Sequence, residues 1–377
     1  MDLISPLTLQ LIGALAVAVV ISLAITPPVK WFAVKIGAID VPRDNRRMHK
    51  EPIPRLGGLA IFIAFVISVV IFAEIDIEIQ GVLLGSLLIV LVGVVDDIIP
   101  LKASHKFLAQ IVAAAIPVFH GITIDLVSNP NIFGYSEYLP LGVLTIPITI
   151  FWIVGITNAV NLIDGLDGLA VGVSTISSLT MLLVALLITA DLNVALVLAA
   201  LAGACLGFMP YNLNPAKIFM GDTGALLLGY LLATMSILGL FKFYAIISFA
   251  VPFMALALPI LDTVFAIIRR LLKGQSPMAP DRGHFHHRLL DLGFTQKQAV
   301  FIIYLISGFL GMVAMIMTSS GQVRIVFTFL TFAIVAATVL IVFGTKKLTP
   351  APKCETCGTE HKEENKGKQT EDEATDD

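Results

Sequence analysis

The sequence predicts an all-α, polytopic membrane protein of about eleven transmembrane helices, N-terminus outside and C-terminus cytoplasmic. Three observations predict it. The 377 residues are 57% hydrophobic and only 14% charged, with a mean hydropathy of +0.93; soluble domains carry about 25% charged residues. The long apolar runs are hydrophobic all round, whereas a soluble helix keeps one polar face. Finally, Lys and Arg fall on one side of the predicted topology.

The spans lie at roughly 7–26, 57–75, 81–95, 106–124, 141–158, 169–189, 193–211, 223–241, 244–271, 298–318 and 323–344. Each is near the ~20 residues that cross the hydrocarbon layer. The third is short and the ninth long, so tilt, or a kink at Pro252 or Pro259, is expected there. With the N-terminus outside, 22 of the 24 Lys and Arg residues lie on the inner side, leaving only Lys242 and Arg324. That asymmetry sets the orientation. Met1 to Leu11 lacks the basic start and cleavage site of a signal peptide. Residues 1–348 read as one integral membrane catalytic domain, and the polar residues 349–377 as a disordered cytoplasmic tail.

The acidic residues of the inner loops carry the chemistry. Asp96 and Asp97 follow the run Gly81–Val95 directly, and Asp164, Asp167 and Asp222 end or follow apolar runs in the same way. A charge at the bilayer centre costs ~2.5–3.5 kcal/mol on insertion scales. Five carboxylates at such boundaries predict a shared cation-holding site at one membrane face. Neighbours on a helix point about 100° apart, so Asp96 and Asp97 address different partners. The alternative is a solvated helix end.

The third inner loop, NAVNLIDGLDG (158–168), has no Lys or Arg. Asn161, Asp164 and Asp167 offer amide and carboxylate groups suited to sugar hydroxyls or base edges. The spacing and closing Glu of an EF-hand are missing. In the fourth loop Asp222 sits between Gly221 and Gly224 at the start of a span, where it suits Mg²⁺ together with Asp96. Phe219 reads either as an interfacial anchor or as a base-stacking ring. The fifth loop, DRGHFHHR (281–288), places His284, His286 and His287 between Arg282 and Arg288. Three histidines suit zinc; with the flanking arginines they better suit a phosphate or a sugar. Asp262 is a further intramembrane acid that a basic neighbour would pair. Cys354, Cys357 and His361 resemble half of a zinc knuckle without a fourth ligand.

Asp96-Asp97 after the third span, NAVNLIDGLDGLA, FMGDTGALLLG and DRGHFHHRLLD occur in this order on one predicted face. The set resembles the polyprenyl-phosphate N-acetylhexosamine-1-phosphate transferases, the family that includes phospho-MurNAc-pentapeptide translocase. The His-x-His-His loop resembles the WecA/TagO branch, which uses UDP-GlcNAc.

The resemblance implies transfer of a sugar 1-phosphate from a UDP-N-acetyl sugar to undecaprenyl or another polyprenyl phosphate, with release of UMP, for cell-envelope glycan synthesis. Other UDP-sugars, such as UDP-MurNAc-pentapeptide or UDP-GalNAc, are alternatives. It implies Mg²⁺ (or Mn²⁺), contact with membrane lipid, a homodimer, no nucleic acid, and a cell-membrane enzyme with a cytoplasmic-face active site. By motif, Asp96 and Asp97 become the acidic pair of the lipid-phosphate site, with Asp96 beside the metal, and Asp222 the Mg²⁺ aspartate. Asn161, Asp164 and Asp167 meet the nucleotide. Phe219 stacks on uracil and Asn212 joins that pocket. His284, His286 and His287 contact sugar or diphosphate, with Arg282 in the same loop. Lys50 is the basic residue ahead of the second span. The rival of another class is an ion-coupled transporter, which predicts midplane charges and inverted repeats; the acids here gather at one face and no repeat is visible.

Overall fold

A computed structural model describes residues 6–42, 51–128, 138–189, 191–241, 252–275, 283–319, 321–322, 324–331 and 334–335. Lys50, Arg282 and the Cys354/Cys357/His361 tail lie outside them. The described residues form helices α1 (Pro6–Lys35), α2 (Gly57–Phe72), α3 (Ile77–Ile98), α4 (Ala103–Phe119), α5 (Thr145–Ile163), α6 (Leu169–Val184), α7 (Leu192–Asn212), α8 (Gly221–Ser236), α9 (Ala257–Leu272), α10 (Phe285–Asp291) and α11 (Gln296–Thr318). Two short antiparallel ribbons complete the set: β1 (Ile39–Asp40) with β2 (Ile53–Pro54), and β3 (Leu126–Ser128) with β4 (Tyr138–Pro140).

Seven of these helical stretches are long and apolar enough to cross a membrane, and Gly57–Phe72 and Ala103–Phe119 are shorter apolar helices. The protein is a multi-pass, helical membrane protein. Helix α3 spans 22 residues, so the third span is not short as expected: it starts four residues earlier, where the Asp76 carboxylate caps it by accepting from Ile79 N–H at 2.8 Å. Helix α1 likewise outruns its expected end at 26 and continues through Pro27 and Pro28 to Lys35.

Prolines inside membrane helices orphan a carbonyl four residues back, which hydrocarbon cannot solvate. The fold supplies donors from other helices. Pro27 frees the Leu23 carbonyl, and Tyr211 of α7 donates its hydroxyl there at 3.1 Å. Pro259 frees the Ala255 carbonyl, and Ser177 of α6 donates to it at 2.7 Å. The expected kink of the ninth span sits at this point: the helical path turns at Leu256, just before α9.

Helix α8 is the hub. It is buried along nearly its whole length and packs on α2, α3 and α5. Glycines let its first turn enter. A Cβ on Gly58 would come 2.1 Å from the Gly224 nitrogen, and one on Gly93 would come 2.4 Å from the Thr223 Cα. The start of α8 is thus wedged between α2 and α3, beside the end of α3 that carries Asp96 and Asp97.

Candidate active site

The two neighbouring aspartates diverge. Asp97 is buried, and its carboxylate accepts from the backbone N–H of Asp222 at 3.0 Å, from that of Thr223 at 3.0 Å, and from the Thr223 hydroxyl at 2.6 Å. Those N–H groups are the unpaired donors of the first turn of α8. Asp97 therefore caps α8 from another helix and fixes where Asp222 stands. Its oxygens are committed to the protein, which makes it a positioning residue.

Asp96 points the other way. Its Oδ1 accepts from Leu101 N–H at 2.7 Å and its Oδ2 from Lys106 Nζ at 2.7 Å. The same ammonium donates to Asp222 Oδ2, and Asn161 Nδ2 donates to Asp222 Oδ1 at 3.0 Å. Two carboxylates from α3 and α8 thus share one cation from α4, with an α5 amide alongside. Lys106 was not assigned a role from sequence. The available signal was its place in the first helical turn after the short Pro100 loop, which returns the chain towards Asp96.

A partly buried amide pair fixes α4 against α5: Asn158 Nδ2 donates to Gln110 Oε1 at 2.5 Å and to the Val154 carbonyl at 2.8 Å. Gln110 lies one turn beyond Lys106, and Asn158 three residues before Asn161.

The loop 164–168 closes a second wall. Asp167 Oδ2 accepts from Asn214 Nδ2 at 2.9 Å and from Ala216 N–H at 3.0 Å. Asn212 is buried; its Oδ1 accepts from Gly168 N–H and its Nδ2 donates to the Ile218 carbonyl, both at 3.1 Å. Both residues lock the third inner loop to the fourth. Gly168 adopts φ +79°, a conformation glycine takes cheaply. Among the described residues the Asp164 carboxylate has no such partners. Burial pushes its carboxyl up to about 8, and the charges of Asp222, Asp97 and Asp167 push in the same direction. Phe219 is half-buried. Its N–H donates to the Pro54 carbonyl at 2.8 Å and its carbonyl accepts from Gly57 N–H at 2.9 Å, tying this loop to the segment before α2.

The histidines pack on the same loop. Asp262 of α9 holds them, accepting from His284 Nδ1 at 2.8 Å and from Phe285 N–H at 2.8 Å. The basic partner expected for Asp262 is therefore His284. The rings of His284 and His286 are parallel at 5.8 Å between centroids, and His287 follows at 4.3 Å from His286. His286 lies against Gly165, where a Cβ would be 2.4 Å from its Nε2. Burial pushes the His286 imidazole down to about 4, with His287 adding in the same direction. Among the described residues no group of three or more His, Cys, Asp or Glu is placed to hold a metal ion.

The neutral state of buried His286 gives a signed expectation. Its ordinary value is near 6.5, so the stability it confers is complete above that pH and is lost as pH falls towards 4. At ~1.4 kcal/mol per unit, the loss reaches about 3 kcal/mol. The hydrogen-exchange protection of residues 284–291, taken relative to the intrinsic rate at each pH, is expected to fall between pH 6.5 and 4.5. His286→Phe removes that acid-dependent step; persistence of the step in the variant would assign it to another group.

A family model described as glycosyl transferase family 4 matches residues 79–240. The chain is also 43% identical, over 318 residues, to a protein of Bacillus subtilis called probable undecaprenyl-phosphate N-acetylglucosaminyl 1-phosphate transferase; the match covers 84% of this chain and 87% of the relative.

The chain belongs to glycosyl transferase family 4.

This family 4 protein is also 35% identical over 338 residues to decaprenyl-phosphate N-acetylglucosaminephosphotransferase of Mycolicibacterium smegmatis, covering 82% of this chain and 83% of the relative. It is 31% identical over 324 residues to phospho-N-acetylmuramoyl-pentapeptide-transferase of Clostridioides difficile, covering 83% and 98%. The matched segment of the family 4 model holds Asp96, Asp97, Lys106, Asn161, Asp164, Asp167 and Asp222.

Proposed function

We propose that the chain transfers GlcNAc 1-phosphate from UDP-GlcNAc to a polyprenyl phosphate, releasing UMP and forming a polyprenyl-diphosphate GlcNAc. The observation that carries this reading is the Lys106 ammonium shared by Asp96 and Asp222, with Asn161 on the far side of Asp222. A phosphate oxygen of the acceptor attacks the β-phosphorus of the nucleotide sugar. A new P–O bond forms, the bond to the α-phosphate oxygen breaks, and UMP leaves with that oxygen. No net redox change occurs, and a phosphate monoester is largely ionised at neutral pH, so a strong base is unnecessary.

The donor set suits a hard dication. Asp222 and Asp96 offer carboxylate oxygens, and Asn161 engages Asp222 through nitrogen, with its carbonyl oxygen making no hydrogen bond among the described residues. Mg²⁺ (or Mn²⁺) held by Asp222 beside Asp96 would neutralise charge on the phosphate oxygens. Lys106 supplies a fixed positive charge to the same oxygens. Asn161 holds Asp222 in orientation. Phe219 offers a ring for uracil, and His284, whose Nδ1 donates to Asp262, leaves its Nε2 for a sugar hydroxyl, which it accepts from as a neutral ring.

Eleven crossings result if Gly57–Phe72, Ala103–Phe119, the segment ending in α9 and the run 323–344 join the seven long spans. The placing of 22 of 24 Lys and Arg residues on one side then supports a cytoplasmic-face site. That is where a soluble nucleotide sugar meets a lipid phosphate headgroup.

The test is UMP release by purified protein with polyprenyl phosphate, Mg²⁺ and UDP-GlcNAc, beside Asp222→Ala and Asp96→Asn. Metal-dependent UMP and a lipid-linked product are expected, each reduced at least about a hundredfold in both variants. Turnover only with another UDP-sugar moves the specificity. Silence with every UDP-sugar removes the proposal.

A further inference from the structure

Arg55 is an unassigned cation at this site. Its backbone is held from two sides: its N–H donates to the Ala38 carbonyl at 2.9 Å, and it forms a parallel bridge with Phe219. The side chain is not equally satisfied. Among the described residues its Nε is buried without a hydrogen-bond partner, and Asp97 Oδ1 is 4.0 Å away, beyond hydrogen-bond range. Asp97 cannot turn to meet it, because its oxygens already accept from Asp222 and Thr223. The side chain keeps 28% of its exposure beside Asp97, so part of the guanidinium is open to a ligand.

A buried donor without an acceptor is costly, and a guanidinium is a planar fork matched to phosphate. We infer that Arg55 binds phosphate oxygens of a substrate, completing a cationic pair with Lys106 on either side of the Asp96–Asp97 turn. The inference rests on the proposed reaction. The oxygens belong either to the nucleotide diphosphate, favoured by the bridge to Phe219, or to the acceptor headgroup.

The experiment measures kcat and KM for UDP-GlcNAc and for polyprenyl phosphate separately, in wild type, Arg55→Ala, Arg55→Lys and the pair Arg55→Ala/Asp97→Asn. Wild-type turnover establishes the reaction first, so its absence counts against the proposed function and not against Arg55. The expected result is a rise of about tenfold or more in KM for one substrate in Arg55→Ala, with an unchanged unfolding temperature. The substrate affected names the source of the phosphate. Arg55→Lys recovers part of the loss, and Asp97→Asn recovers none. Two results overturn the inference: unchanged KM for both substrates, or full recovery in the double variant, which would mean that Arg55 merely balances the charge of Asp97. If Arg55→Ala fails to fold, Arg55→Lys decides alone by its KM values.

Discussion

Lys106→Met is expected to lower turnover by roughly 10²–10³-fold and to destabilise the protein as well. In the structure the ammonium is hydrogen-bonded to Asp96 and Asp222 together. Removing it leaves two partly buried carboxylates facing each other; breaking such a pair costs about 3–5 kcal/mol when uncompensated. Added dication can replace the missing charge but not the tether from α4. The variant's unfolding temperature should therefore depend more steeply on Mg²⁺ than that of wild type, while its activity stays low. Lys106→Arg keeps the charge and should retain more of both. Turnover within twofold of wild type in Lys106→Met would remove Lys106 from the chemistry.

Gly221→Ala is expected to be comparably damaging, for a reason of shape. Gly221 sits at φ +69°, and a Cβ there would lie 2.3 Å from Asp97 Oδ2. The left-handed conformation alone costs an L-residue ~1–2 kcal/mol. The collision adds to it by pushing the Asp97 carboxylate off the N–H groups of Asp222 and Thr223. Gly274 has φ +67° with nothing within 4 Å of a built Cβ, so Gly274→Ala pays only the backbone part. Unfolding temperature and kcat measured on both should separate the two effects: a small thermal shift with normal kcat for Gly274→Ala, and a larger shift with kcat down about a hundredfold for Gly221→Ala. Equal behaviour of the pair would show that the Asp97 cap is not what places Asp222.

The membrane architecture was legible in the sequence because hydrocarbon imposes its demand locally: each run must be apolar and near a fixed length. The aspartates, Asn161 and the histidine loop were legible because polar groups at such boundaries are expensive. What each one touches was not. Nothing local distinguishes Asp97, which caps α8, from Asp96, which meets Lys106; the difference is set by 125 residues of intervening chain. Lys102 and Lys106 look alike in DDIIPLKASHK, yet only the helical register of α4 turns Lys106 inward. Asp167 reads as a ligand from its loop and Asn212 from the family resemblance, and nothing local shows that each also bonds a neighbouring loop. Gly58 and Gly93 matter only because α8 arrives beside them.

The kink ahead of α9 has a mechanical consequence. The carbonyl released by Pro259, that of Ala255, belongs to the chain leading into α9, but the hydroxyl that donates to it belongs to α6. The joint is therefore pinned from outside, and its angle is set by a neighbour. Asp262 rides on the far arm of that joint and carries His284 with it. A methyl-sized change at Ser177, remote from every phosphate-facing group, would loosen the pin and let the arm, and the histidines at its end, swing out of aim.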